Sequence, residues 1–315
     1  MSSPEPRVVF FGSGEIAIPS FRRLLNDGPP PVALVTQPDK PAGRHRTLTP
    51  PPIKEVAVQA GVQVLQPESA RDEVFLDELR HLAPDLIIVM AYGQILPKAL
   101  IDIPKIACIN LHGSLLPRHR GASCVQAAID AGDAITGVTV MHVVPKLDAG
   151  DMIHAESTPI SDSDTGTTVH DRLADLAASA LFSSLSDLIS GTARRTPQDP
   201  ELVTYSGKLG REDGRLDWTR DAQAIERRIR AYHPWPGTWT TVDDGSGPKR
   251  LKVFPVGTGA DSKGEPGTFR ISEEGEAWVS CGSGHVVLGE VQADGSRRMA
   301  ARDWLKGLRG NPVIR

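Results

Sequence analysis

RVVFFGSGEIAIPSFRRLLN (7–26) decides the fold class. Residues 7–12 read as a strand, apolar without alternation, which is how a strand reads when both faces of its sheet are covered. A glycine turn closes it. Ile18, Phe21, Leu24 and Leu25 then recur at helical spacing. Outward from this unit the alternation repeats. PVALVTQ (31–37), VQVLQ (62–66), LIIVMAY (86–92) and ACINLHG (107–113) are further strands, each after helical or turn-like sequence. The expected architecture is a doubly wound α/β domain with a mostly parallel, Rossmann-like sheet. TGVTVMHVV (136–144) and DMIHAESTPI (151–160) add two strands toward an edge.

A long helix follows over 167–190, with Val169, Leu173, Leu176, Ala180 and Leu188 as its apolar stripe and Gly191 as its stop. Residues 191–207 carry prolines and little periodicity and read as a linker. From 208 the texture changes to a short helix and many short strands with Gly-rich turns, the pattern of a small OB-like β-barrel. The domain expectation is therefore 1–190, a linker over 191–207, and 208–315.

Composition suits a globular chain of 315 residues, 39% hydrophobic and 23% charged. No apolar run is read as a membrane span and no secretory or transit segment is read at the N-terminus. Three scattered cysteines (Cys108, Cys124, Cys281) fit neither a disulfide framework nor a zinc set, which points to a reducing cytoplasm. The formal net charge is −4, yet residues 208–315 hold 18 Lys and Arg against 15 Asp and Glu. A basic part on an acidic chain fits a polyanionic partner, or a chance imbalance.

GSGEIA (12–17) could cradle a phosphate at a helix N-terminus, but the acid expected at the end of the second strand is missing, so a tight βα turn is preferred to a dinucleotide site. NLHGSLLPRHRGA (110–122) leaves a strand at its carboxyl end, where ligands sit in open α/β sheets. Asn110 and His112 share a face. An amide donor and an imidazole are the groups needed to steady an oxyanion and move a proton. A core histidine is the bland alternative. Asp148, in the loop of VVPKLDAGDMI (143–153), could hold His112 in one tautomer or merely cap its own turn. A zinc site from His112, His119 and His142 lacks ligand spacing, and no metal is expected. QPDKPAGRHRTLTPPPIK (37–54) reads as a long loop without secondary structure. Its cations Lys40, Arg44, Arg46 and Lys54 suit phosphate contacts.

Together these motifs resemble the methionyl-tRNA formyltransferase family. The resemblance runs through VVFFGSGEIAIPSF, TQPDKPAGRHRTLTPPPIK, APDLIIVMAYGQILP, CINLHGSLLPRHRGA and DAITGVTVMHVVPKLDAGDM, and beyond 200 through LVTYSGKL, LDW and IRAYHPWPGTW. It implies formyl transfer from 10-formyltetrahydrofolate to the α-amino group of methionine on initiator tRNA, by a monomer. Asn110, His112 and Asp148 match the family's catalytic trio, and Ser114, Leu115, Leu116 and Pro117 its folate-contacting segment. Lys40, Arg44, Arg46 and Lys54 fall in the loop that reaches the tRNA acceptor end. The chain departs from the family pattern at SGEIA and at Ser123–Cys124, which stands where Ala-Pro is usual. Within the same chemistry the acceptor could instead be an amino sugar nucleotide or water. The basic loop and the HPWPGTW segment favour tRNA. A dehydrogenase, or an RNA-binding module without catalysis, are the readings from other classes.

Overall fold

A computed structural model describes residues 5–43, 46–243, 247–254, 257–260, 264–308 and 313–314. The chain divides into two compact units. The first takes residues 1–124, 135–159 and 170–206. The second takes 125–134, 160–169 and 207–315.

The first unit is built on a seven-stranded sheet. In chain order its strands, with two short pairs beside it, are β1 (Val8–Gly12), β2 (Pro31–Val35), β3 (Lys40–Ala42), β4 (Thr47–Thr49), β5 (Gln63–Leu65), β6 (Leu86–Met90), β7 (Ala107–His112), β8 (Arg120–Gly121), β9 (Ile135–His142), β10 (Met152–Pro159) and β11 (Tyr205–Ser206). The main sheet runs β10-β9-β7-β6-β1-β2-β5. Pairing is parallel from β5 to β7. β9 joins β7 antiparallel, and β10 joins β9 antiparallel. The expected mostly parallel sheet with two late edge strands is what forms.

Continuous apolar sequence explains the covered sheet. Val8, Val9, Phe10 and Phe11 are all fully buried. Phe10 meets Phe21 of α1 (Ile18–Asp27) edge-on at 5.4 Å on one face, and Phe11 meets Tyr92 at 5.1 Å in a second cluster. Each such aromatic contributes about 1.5–3 kcal/mol by leaving water. α2 (Pro52–Gln59), α3 (Glu73–His81) and α4 (Lys98–Ile101) complete the crossovers. Asp72 starts α3 by accepting the Val74 and Phe75 amides.

Four sequence expectations need correction. Segment 37–54 is not a structureless loop: β3 and β4 pair as a hairpin, with Lys40 opposite Thr49, and α2 starts at Pro52. The β-branched Thr47 and Thr49 suit a strand, and Gly43 supplies a positive φ at the turn. Lys54 is not a free cation at the loop's root, because its ammonium grips both Asp39 oxygens at 2.8 Å. The stretch 191–207 is not simply connecting chain; residues 196–206 are hydrogen bonded to the first unit, as described below. Finally, the helix α6 (Gly166–Ser190), after α5 (Cys124–Ala131), is long and apolar enough by length and composition to cross a membrane. Half of its most apolar window is buried inside the protein. Asp171, Asp175 and Asp187 charge its exposed side, the pattern of a core helix. Gly191 ends it with φ +74°.

In the second unit, α7 (Ala222–Ala231) anchors two stretches of earlier sequence. Arg228 clasps both Asp130 oxygens, at 2.8 and 3.2 Å, and Arg230 donates to the Asp164 carbonyl at 2.7 Å. The strands β12 (Thr238–Asp243), β13 (Pro248–Val253), β14 (Gly257–Gly259), β15 (Phe269–Ile271), β16 (Ala277–Ser280), β17 (His285–Leu288), β18 (Glu290–Ala293), β19 (Met299–Ala300) and β20 (Val313–Ile314) form two sheets, with helix α8 (Ala301–Lys306). All their pairings are antiparallel. Trp218, Ile225, Leu251, Val279 and Val286 form the core, and Trp218 Nε1 donates to Thr240.

Asp39 makes the hairpin's anchorage testable. Its carboxylate takes a hydrogen bond from Gln66 Nε2 at 2.7 Å as well as the Lys54 pair, and these hold its pKa below the usual value, Gln66 most strongly. A folded pKa below the unfolded one means that stability is gained above the unfolded pKa and lost as pH falls through the folded pKa. A ¹³C carboxyl titration should find Asp39 below 3.8. Gln66→Leu and Lys54→Met should each raise that midpoint; a midpoint that neither variant moves would discard these contacts as the cause.

Candidate functional site

The carboxyl end of β7 carries Asn110 and His112, two residues apart and so on one face of the sheet. His112 pairs with Thr139 of β9 and is 5% exposed. Its Nε2 lies 3.0 Å from the carbonyl oxygen of His119. A carbonyl only accepts, so Nε2 carries the hydrogen and Nδ1 is the nitrogen turned toward the loop that carries Asp148. Nδ1 faces Asp148 Oδ2 at 3.7 Å. That gap is too long for a hydrogen bond. It leaves both groups able to meet a third.

Spacing alone left Asp148 unpaired with His112, because 36 residues separate them in sequence. The antiparallel return of β9 closes that distance. Asp148 lies between β9 and β10 in a left-handed conformation, φ +47°. Its Oδ2 accepts the Gly121 amide at 2.8 Å. Gly121 is required there: its φ is +114°, and a Cβ would stand 2.2 Å from the Ser206 carbonyl oxygen.

Ser114–Pro117 forms the turn after β7. Ser114 is fully buried and its hydroxyl donates to the Arg118 carbonyl at 2.7 Å. Thr139 Oγ1 donates to the Ser114 carbonyl and accepts the Leu116 amide. The turn is thus rigid. Leu115 and Pro117 are partly exposed and present apolar carbon. Beyond β6, Gly93 (φ +89°) has open space where a Cβ would stand.

Lys40 is exposed on β3, as is Arg46 after the hairpin turn, while Arg44 lies outside the described residues. Of the three histidines weighed as zinc ligands, His142 has its pKa lowered, by burial first and by the Arg195 charge second. Among the described residues no group of three or more His, Cys, Asp or Glu is placed to hold a metal.

The sequence reading missed a second layer. Arg120 Nε and Nη2 donate to Gln198 Oε1, and Gln198 Nε2 donates to the Asp148 and Gly150 carbonyls. Thr204 Oγ1 accepts the His119 amide at 2.8 Å, and β11 pairs with β8 in parallel. Gln198 and Thr204 lie where prolines and polar residues suggested a connector. No periodic signal marks a strap whose ties to the site are long-range.

Comparison with known proteins bears on the family and the fold. A family described as "Formyl transferase" matches residues 7–185, and "Formyl transferase, C-terminal domain" matches 208–309. A protein of Akkermansia muciniphila named methionyl-tRNA formyltransferase is 48% identical, covering 96% of each chain. One of Geobacter sulfurreducens with the same name is 41% identical, over 98% of this chain and 96% of its own. Among solved structures, an N-formyltransferase from Helicobacter canadensis in complex with folinic acid and dTDP-3-aminofucose shares the fold. Its TM-score is 0.68 at 16% identity, over 93% of this chain and all of that one. HypX from Aquifex aeolicus, solved in complex with tetrahydrofolic acid, matches 99% of this chain with a TM-score of 0.61 at 18% identity; the match spans about half of HypX. With relatives of this name at 48% and 41% identity over nearly the whole of both chains and family matches along both halves, the chain belongs to the methionyl-tRNA formyltransferase family.

Proposed function

We propose that the chain transfers the formyl group of 10-formyltetrahydrofolate to the α-amino group of methionine on initiator methionyl-tRNA, for translation initiation. The observation that carries this reading is His112, with Nε2–H tied to the His119 carbonyl and Nδ1 facing Asp148 across 3.7 Å. The folate supplies the formyl group. Asn110 donates its amide N–H to the oxygen that becomes negative as the amine adds. His112, protonated on Nδ1, donates to the same oxygen. Asp148 faces that proton, steadies the positive ring and accepts the proton shed by the amine, directly or through water; as the oxyanion re-forms the carbonyl, the bond from the formyl carbon to the folate nitrogen breaks and that nitrogen takes up the proton, so that tetrahydrofolate leaves. One such donor to a developing oxyanion contributes about 3–4 kcal/mol.

The turn Ser114, Leu115, Leu116, Pro117 is the folate-contacting segment in this reading, through its rigid backbone and the apolar surface of Leu115 and Pro117. Lys40, Arg44 and Arg46 serve the tRNA acceptor end; Lys54 serves it indirectly, by fixing the hairpin root through Asp39. Function divides as a catalytic part over 1–190, with the strap 196–206 tied to it, and an OB-like part over 208–315 that tracks the tRNA backbone, in a monomer with no membrane role. The cytoplasmic reading rests on the cysteines. All three are buried, and burial pushes the Cys108 thiol to about 12 and the Cys281 thiol to about 11.

Incubation with charged initiator tRNA and 10-formyltetrahydrofolate should yield formyl-methionine. His112→Ala should cut turnover by roughly 100- to 1,000-fold while tRNA affinity holds; near-normal turnover in a folded variant would refute its catalytic role. Asp148→Asn keeps shape and loses charge, so turnover should fall strongly with folate affinity retained. A loss confined to folate affinity would make Asp148 a binding residue.

Arg44→Ala should depress formylation of charged tRNA and leave folate affinity alone. Added salt should reproduce part of that defect in the wild type as counterions compete for phosphates. Equal formylation by variant and wild type, at low and moderate salt alike, would move weight to a small acceptor.

A further inference from the structure

Gln198 takes no part in the chemistry above, yet its side-chain amide is fully engaged. Nε2 donates to the Asp148 carbonyl at 2.9 Å and to the Gly150 carbonyl at 2.8 Å. Oε1 accepts from Arg120 Nε at 3.0 Å and Nη2 at 2.7 Å. The orientation of the amide is fixed by its neighbours: two carbonyls require a donor, and a guanidinium requires an acceptor. Arg120 is 5% exposed, so this fork is shielded from water. Hydrogen bonds to a charged group are among the stronger ones.

The clamp holds an unusual piece of backbone. A left-handed conformation is disfavoured for a residue with a Cβ such as Asp148, and it persists where the surroundings over-determine it. Two residues on, Gly150 lies against β9, where a Cβ would stand 1.8 Å from the His142 carbonyl oxygen. Gln198 binds the loop's carbonyls from the strap, and the Gly121 amide binds the Asp148 carboxylate. The strap carrying Gln198 has independent ties: Thr196 pairs with Met152, the Arg120 amide donates to Thr204, and the Ala122 amide donates to Ser206. Loss of the Gln198 amide therefore leaves the strap in place and falls on the loop. We infer that Gln198 is a positioning residue for the transfer reaction, acting through Asp148 by holding its backbone so that the carboxylate faces His112. This rests on the role given to Asp148 above.

The test is a double-mutant cycle on the full chain with 10-formyltetrahydrofolate and charged initiator tRNA. The variants are Gln198→Met, Gln198→Glu, Asp148→Asn and the Gln198→Met/Asp148→Asn pair, each checked for folding by circular dichroism. Methionine keeps the length without hydrogen bonds. Glutamate keeps the Arg120 contact and loses the donor to both carbonyls. Both single Gln198 variants should lower kcat, by up to about 100-fold, since an ångström of misplacement can cost that much. KM for either substrate should hold. In the Asp148→Asn background, Gln198→Met should add little, because coupled groups are not additive. Three results would overturn the inference: wild-type kcat in Gln198→Met, wild-type kcat in Gln198→Glu, or losses that multiply in the pair. Wild-type kcat in Asp148→Asn itself would instead bring down the role of Asp148, and the inference with it.

Discussion

The site depends on one hydrogen bond, from His112 Nε2–H to the carbonyl of His119. An imidazole has two nitrogens, and a backbone carbonyl can satisfy only the one that carries hydrogen. Pinning Nε2 in this way decides which nitrogen is left for chemistry. It also requires the chain to come back on itself within seven residues, so that His119 presents its carbonyl to a ring at the end of β7. His119 does so with φ +58°, a conformation steadied by the Thr204 hydroxyl that accepts its amide. The segment that follows then delivers the Gly121 amide to Asp148. A single return of the chain thus sets which nitrogen of His112 faces the site and the position of its carboxylate neighbour.

How much of this was legible in the sequence depended on the range of the interactions. Strands such as 8–12 and 86–90 were plain because continuous apolar residues have few alternatives to a covered sheet. The long helix ended at Gly191, where the stop signal stood. Asn110 and His112 could be named because strand periodicity puts them on one face. Asp148 was only a candidate, since no local rule states that the loop after β9 returns to the end of β7. Gln198, Thr204 and Arg120 were invisible as a group. Their partners lie about 50 to 85 residues away, and composition reports local tendency alone. The hairpin over 40–49 was hidden for a different reason: prolines and charges flank two three-residue strands, too short to show alternation.

The antiparallel edge also answers why this sheet differs from a wholly parallel one. β9 enters beside β7 from the opposite direction, so Thr139 stands across from His112. Thr139 uses its hydroxyl twice, donating to the Ser114 carbonyl and accepting the Leu116 amide. One side chain on an antiparallel neighbour therefore fixes the turn that leaves the site. A parallel neighbour would need a crossover of a dozen or more residues before its return. Here nine residues, 143–151, suffice to bring Asp148 back.

The three buried cysteines have a practical consequence. The thiolate is the form that reacts with maleimides and disulfides. With the Cys108 and Cys281 thiols pushed to about 12 and about 11, almost no thiolate exists at neutral pH, and all three sulfurs are shielded by packing. A single cysteine introduced at an exposed position, such as Val58 on α2, would react far ahead of the native ones. Fluorophores or spin labels could therefore be attached at one chosen point while the native sequence stays intact everywhere else.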